Sequence, residues 1–203
     1  MARSPSFAGV ILAAGTSSRM GSDKALLPWQ DGTFLSTTIR ALLAATELVT
    51  VVVGENAPNL SPVIYANGAS LVRNSHPEQG QFSSLRVGLT EVLNYGRDAA
   101  IVTLVDRPAP LPQTIASLRN EFLTSSDEIW AVVPEFNEKH GHPIVIGREM
   151  IEAFLRADAA GNAREVEHAN QSHIRYVSVS DPNVTVNVNT PEDFQKLHSG
   201  LYV

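Results

Sequence analysis

This sequence predicts an α/β fold, an open and mostly parallel sheet with helices on both faces. Three observations predict it. Short apolar runs recur at Phe7 to Ala14, Leu48 to Val53 and Ala99 to Val105. Runs of strand formers without polar alternation are the pattern of strands buried on both faces, as parallel sheets require. Segments with apolar residues at helical spacing lie between them: Phe34, Leu35, Ile39, Leu42 and Leu43 share one face, and Leu85, Leu89, Val92 and Leu93 another. The alternation of strand and helix through the first half favours right-handed βαβ units.

The remaining elements follow in order. Trp29-Gln-Asp-Gly32 is a turn signal, and Thr33 can cap the helix that starts at Phe34. Asn56 to Pro62 reads as loop, and a weak strand is expected near Ser70 to Arg73. Asn74 to Gln81 is polar and turn-rich and leads into a helix over 83–93. A helix is expected from about Pro112 to Leu123, since proline is tolerated in a first turn. Strands are expected at Ile129 to Val133 and Pro143 to Ile146, and helices at Glu149 to Leu155 and Asn162 to Ala169. Ile174 to Val179 and Val184 to Val188 read as strands. In the last helix Thr190 caps, Pro191 takes the first position, and Glu192 and Asp193 face the positive dipole end. The strand-richer second half is expected to add an antiparallel edge. Residues 1–203 read as a single domain.

Composition excludes several classes. No apolar run approaches the length that crosses a bilayer, so no membrane partner is expected. The opening Met-Ala-Arg-Ser-Pro-Ser is short and polar and does not read as a signal peptide. Cysteine is absent, which removes disulfides, thiolate metal sites and thiol catalysis. A cytoplasmic location is the expectation. The net charge is −6, from 15 basic and 21 acidic residues, whereas a nucleic-acid binder usually carries a basic excess. No nucleic-acid partner is expected, and any anionic ligand must meet a local cluster of positive charge.

Such a cluster follows the first strand. Gly15, three small polar residues, Arg19, Gly21 and Lys24 make a loop with two cations. Backbone N–H groups can approach a polyphosphate closely where glycine removes the Cβ. Arg19 offers a planar fork of donors and Lys24 a mobile point charge. Two familiar phosphate templates fail. A P-loop needs G-x-x-x-x-G-K-[ST], but five residues separate Gly15 from Gly21 and Ser22 follows. The dinucleotide pattern G-x-G-x-x-G is absent as well. The plainer reading is a strand-to-helix turn with surface charges.

Four other segments carry candidate chemistry. Asp106 sits where a buried strand ends, the place where open α/β sheets bind ligands, and a carboxylate there suits Mg²⁺. It could equally cap the turn before Pro108. Asn187 and Asn189 fall on the same side of a strand end and offer neutral amide oxygens, although asparagine before a capped helix is also a frequent turn residue. Gln79 to Arg86, with Gly80, Ser83 and Ser84, can present backbone N–H groups and hydroxyls at a positive helix end, or a plain N-cap. His140-Gly-His-Pro143 lacks the third ligand that zinc would need. His168, His173 and His198, with Asp127-Glu128 and Glu192-Asp193, read as solvated.

The stretch Leu12-Ala-Ala-Gly-Thr-Ser-Ser-Arg-Met-Gly, with Lys24 and Leu26-Leu-Pro28, resembles the signature of the MobA-like nucleotidyltransferases. Within them it is most similar to the molybdenum cofactor cytidylyltransferases. The resemblance runs from Gly9 to about Phe194. It implies a Rossmann-like fold of the nucleotide-diphospho-sugar transferase type, with a nucleotide-binding half at about 7–110 and an acceptor-binding half at about 111–203. It implies transfer of a nucleoside monophosphate from an NTP, CTP favoured, to a phosphorylated acceptor such as molybdopterin, with Mg²⁺ as cofactor and transient contact with a molybdoenzyme or its chaperone. Guanylyl transfer to molybdopterin, a sugar 1-phosphate acceptor, and a non-catalytic nucleotide-binding regulator are the alternatives.

Residue by residue, the resemblance implies nucleotide contacts from Leu12, Ala13, Ala14, Gly15, Arg19, Lys24, Asn74, Gly80, Ser83 and Ser84. Arg19 and Lys24 would act in catalysis with Asp106, which Leu104-Val-Asp-Arg-Pro108 places in the family's metal-binding segment. Asn187 or Asn189, in a segment similar to the family's Asn-x-Asn-Thr-Pro-Glu element, would complete the metal site. His142, in Gly141-His-Pro143, and Arg164, in Gly161-Asn-Ala-Arg164, would face the acceptor. Two departures stand out: Arg107 replaces the Gln usual in the cytidylyl branch, and the asparagines at 187 and 189 replace its usual aspartates.

Overall fold

The computed structural model describes residues 5–15 and 23–199. The first apolar run forms β1 (Phe7–Leu12), buried along its whole length. The Trp29–Gly32 turn joins two short strands, β2 (Pro28–Trp29) and β3 (Gly32–Thr33), with Gln30 at φ 52°. Thr33 then caps α1 (Phe34–Leu43), accepting from Ser36 N–H while the Ser36 hydroxyl accepts from Thr33 N–H, a reciprocal capping box. β4 (Leu48–Val53), α2 (Ala57–Ala66), β5 (Ser70–Arg73), α3 (Gln81–Asn94) and β6 (Ala99–Leu104) complete the alternating half. The second half holds α4 (Pro112–Thr124), β7 (Ala131–Phe136), β8 (Lys139–His140), β9 (Ile144–Gly147), α5 (Arg148–Arg156), α6 (Ala163–Ala169), β10 (Ile174–Ser178) and α7 (Pro191–His198).

The main sheet runs β10-β7-β9-β6-β1-β4-β5, with β8 paired to β7. β6, β1, β4 and β5 are parallel neighbours, and β10 is parallel to β7. Period-two alternation divides the apolar residues between the sheet's faces. Phe7, Ile11, Val49, Val51 and Val53 pack with Leu35, Ile39, Leu60, Ile64 and Ile115, under α1, α2 and α4. Ala8, Val10, Leu12 and Val102 pack with Leu85, Leu89, Ile151, Phe154 and Val166, under α3, α5 and α6. A smaller cluster of Phe34, Val186 and Val188 seats Phe194 and Leu197 of α7.

Three expectations need correction. Asn56 to Pro62 is not loop: α2 starts at Ala57, takes Pro58 in its first turn and carries Pro62 inside. Burial of Leu60 and Ile64 outweighs the local breaking tendency of proline. The antiparallel strand is not at the edge. Asn137 and Glu138, at φ 49° and 62°, form a tight turn after β7 that sends the chain back through β8, and β9 then inserts between β7 and β6 and pairs antiparallel with both. Val184 to Val188 is not a strand. A single 3₁₀ turn at Pro182–Val184 leads into irregular chain, which buries Val184, Val186 and Val188 without a ladder. Among the described residues no helix is long and apolar enough to cross a membrane.

Candidate active site

A cleft of about 780 Å³ opens beyond the carboxyl ends of β1 and β6. Leu12, Ala14 and Gly15 line one side, Lys24 and Asn56 another, and Gly80, Gln81 and Ser84 present the start of α3. Leu104, Val105 and Asp106 form the remaining wall. Gly80 has φ 90° and ψ −179°, a conformation open to glycine alone, and α3 has no side-chain cap. The first backbone N–H groups of this 14-residue helix therefore face the cleft with the positive end of its dipole.

Asp106 leaves β6 with its Oδ1 buried and without a hydrogen-bond partner. Its backbone carbonyl accepts from Val188 N–H at 2.8 Å, which brings the segment from Asn187 to Asn189 against the strand end. Asn189 Oδ1 accepts from Lys24 Nζ at 2.8 Å, so the strap between α7 and β10 touches the opening loop as well. Asn187 is exposed.

The strap is itself anchored. Asp181, 1% exposed, accepts from Leu111 N–H and Thr114 Oγ1, at 2.8 and 2.9 Å. The Val184 carbonyl accepts from His142 N–H at 2.9 Å and from Arg107 Nη1 at 2.8 Å. Gly141 is needed at this crossing, because a Cβ there would stand 2.2 Å from the Val184 oxygen. His142 Nδ1 and Arg107 Nε are buried and make no hydrogen bond. Burial, with the Arg107 charge nearby, pushes the His142 imidazole down to about 3. Burial also lowers Arg107, and Asp106 opposes that shift.

A family model of the MobA-like NTP transferase domain matches residues 9–174. The chain belongs to the MobA-like NTP transferase family. It is 33% identical over 195 residues to the molybdenum cofactor guanylyltransferase of Xanthomonas euvesicatoria pv. vesicatoria, with 93% of each chain covered. It is 27% identical over 190 residues to the molybdenum cofactor cytidylyltransferase of Escherichia coli, covering 91% of this chain and 92% of that one. By structure it is similar to Rv0371c of Mycobacterium tuberculosis H37Rv in complex with manganese, with a TM-score of 0.76 at 24% identity, over 95% of this chain and 97% of that one. This MobA-like transferase is thus a nucleotidyltransferase with the fold of the nucleotide-diphospho-sugar transferases.

In this MobA-like transferase Leu12, Ala14, Gly15, Lys24, Gly80, Ser84 and Asp106 share the cleft wall. Arg19 lies outside the described residues, as does Gly21. Ala13 holds its place through the β4 strand, donating to the Val52 carbonyl. Asn74 spends its polar atoms on the protein: its amide donates to Ser83 and Ser84 at 2.8 and 3.0 Å and accepts from His76 N–H. It therefore fixes the start of α3. Arg86 closes the end of α5 through the Leu155 and Ala157 carbonyls. Arg164 is exposed on α6, and its charge faces Glu167.

Asn56 is a further site residue that the sequence does not single out. Its Nδ2 donates to the Ala13 carbonyl and to Asp23 Oδ2, at 2.9 and 2.8 Å, and its Oδ1 accepts from Gly54 N–H. One side chain thus ties Ala13, before the opening loop, to Asp23, near its end. The signal was an asparagine three residues beyond a buried strand, next to the cation loop in space alone.

The oxygen donors suit a hard cation. Asp106 Oδ1 is buried without a partner, and in the chain Asn187 and Asn189 flank Val188, whose N–H is bonded to the Asp106 carbonyl, with Asn189 Oδ1 accepting from Lys24. Among the described residues no group of three or more His, Cys, Asp or Glu gathers, so ligands beyond this set would come from phosphate oxygens and water.

Proposed function

We propose that this transferase moves CMP or GMP from the corresponding NTP onto the phosphate of molybdopterin, releasing pyrophosphate. The observation that carries the reading is the cleft that joins Lys24 and the open start of α3 to the unpartnered carboxylate of Asp106. Relatives named for molybdenum cofactor supply the acceptor class. Relatives named for each base support CTP and GTP alike, so the CTP preference expected from the opening motif is one of two readings. The cytoplasm, where NTPs are abundant, suits this chemistry, as does hand-over of the product to a molybdoenzyme.

The acceptor phosphate attacks the NTP α-phosphorus in line. A bond forms between acceptor oxygen and α-phosphorus, and the bond to the β-phosphate oxygen breaks with its electron pair leaving on pyrophosphate. A phosphomonoester is largely dianionic at neutral pH, its second pKa being about 6, so no general base is required. The buried imidazole of His142, low in pKa, is consistent with that. Catalysis then rests on positioning and charge. Lys24 supplies positive charge to the α-phosphate, the start of α3 supplies N–H donors, and Arg19 is assigned to the leaving pyrophosphate. Mg²⁺, held by Asp106 with Asn187 or Asn189, would neutralise phosphate charge.

Pyrophosphate release with Mg²⁺ and molybdopterin, measured across CTP, GTP, UTP and ATP, tests the proposal. Acceptor-dependent release with CTP or GTP is expected. Tight nucleotide binding without release under any of these conditions would instead favour a nucleotide-binding regulator.

A further inference from the structure

We infer that Arg107 is the anion-binding residue for the acceptor's phosphate, on the side of Asp106 away from the nucleotide cleft. The inference rests on the transfer reading above and names the substrate group that meets this residue. Leu104, Val105 and Asp106 line the cleft, whereas Arg107 does not, and its Nη1 donates to the Val184 carbonyl. The same carbonyl accepts from His142 N–H, so Arg107 and His142 converge on one point of the strap.

Arg107 Nε and His142 Nδ1, in the two residues that share the Val184 carbonyl, are buried without a hydrogen bond, as is Oδ1 of the adjacent Asp106. Buried polar groups are nearly always paired, so their clustering in residues from neighbouring strand ends marks where a ligand's polar atoms go. The antiparallel register of β6 with β9, Val102 opposite Ile144, is what sets the two strand ends side by side.

The chemistry selects a phosphate. Arg107 keeps one Nη on Val184, which fixes the guanidinium plane and leaves the Nε edge to offer a fork of donors to an oxyanion. His142, neutral, can add an N–H from Nδ1 without competing for charge. In-line displacement places the attacking and leaving oxygens on opposite sides of the phosphorus. With the triphosphate in the cleft beside Lys24, the attacking phosphate arrives on the Arg107 side. Arg164 is a weaker candidate, since it is exposed and its charge faces Glu167.

The test is calorimetric titration of inorganic phosphate into the full chain saturated with Mg²⁺ and a non-hydrolysable NTP analogue. Wild type is expected to bind phosphate, and Arg107→Gln to bind it about tenfold more weakly or worse, the scale of one charged hydrogen bond. The analogue's own Kd should move by less than about twofold, as for a site with separate contacts. Arg107→Lys, with charge but no fork, is expected to fall between the two, and it decides the matter if Arg107→Gln does not fold. Equal phosphate binding in the variants and wild type, no phosphate binding by wild type, or a parallel loss of analogue binding would each overturn the assignment. Phosphate binding that depends on Arg107, with no pyrophosphate release from any NTP and molybdopterin, would leave the anion site standing and remove the transfer reading.

Discussion

Lys24 Nζ donates to Asn189 Oδ1 at 2.8 Å, although the two residues are 165 positions apart. The bond joins the cation of the opening loop to the strap that also reaches Asp106 through Val188. Asn189 thus acts on Lys24 directly, its amide oxygen accepting from that cation. Lys24→Ala should lower turnover by about a hundredfold or more, the usual effect of losing one such stabiliser. Asn189→Ala should cost less, and the double variant should be no slower than Lys24→Ala, since residues that act as a unit are not additive. Strictly additive losses in steady-state turnover would contradict the coupling.

Asp106 combines a buried, unpartnered oxygen with a backbone carbonyl fixed by Val188. Asp106→Ala keeps that backbone bond and removes the carboxylate. Turnover should fall by at least about a hundredfold, and the Mg²⁺ concentration for half activation should rise. A Mg²⁺ titration of activity at fixed NTP measures both, and near-normal turnover with an unchanged midpoint would remove Asp106 from the metal site.

Asn56 ties Ala13 to Asp23 across the opening loop. Asn56→Ala should lower unfolding free energy by about 1–3 kcal/mol, the range for leaving buried partners unpaired, and raise the KM for NTP. Urea denaturation and a nucleotide titration check the two effects. Unchanged stability together with an unchanged KM would show that the loop is fixed elsewhere.

The His142 imidazole is held down to about 3, from an ordinary 6.5, first by burial and then by Arg107. Between those values the unfolded chain binds a proton that the folded chain refuses. Stability contributed by this group is therefore complete above pH 6.5 and lost as pH falls towards 3. Unfolding free energies at several pH values between 7 and 5 should fall more steeply in wild type than in His142→Gln. Equal slopes would mean that His142 titrates normally in the folded chain.

The strands were legible because burial on both faces writes itself as unbroken apolar runs, as in Leu48–Val53 and Ala99–Leu104. The caps at Thr33 and Thr190 were legible because they depend on neighbours in sequence. α2 was not, since two prolines signal locally while Leu60 and Ile64 bind the segment through tertiary packing. The alternating valines at 184, 186 and 188 report burial correctly, but a strand needs a ladder, and their backbone partners lie on His142 and Asp106. The place of Asp106 and Gly80 at the cleft followed from strand ends and turn chemistry. The contacts of Asn56, Asn189 and Arg107 did not, because each joins segments that only the folded sheet brings together.

In the proposed reaction the α-phosphate of an NTP ends on the acceptor. Incubating the full chain with Mg²⁺, molybdopterin and NTP labelled at the α-phosphorus follows that atom directly. Label from CTP or GTP is expected to appear in a molybdopterin dinucleotide, with one unlabelled pyrophosphate released for each transfer. Label that remains in NTP, or leaves as free nucleoside monophosphate with molybdopterin unchanged, would contradict it.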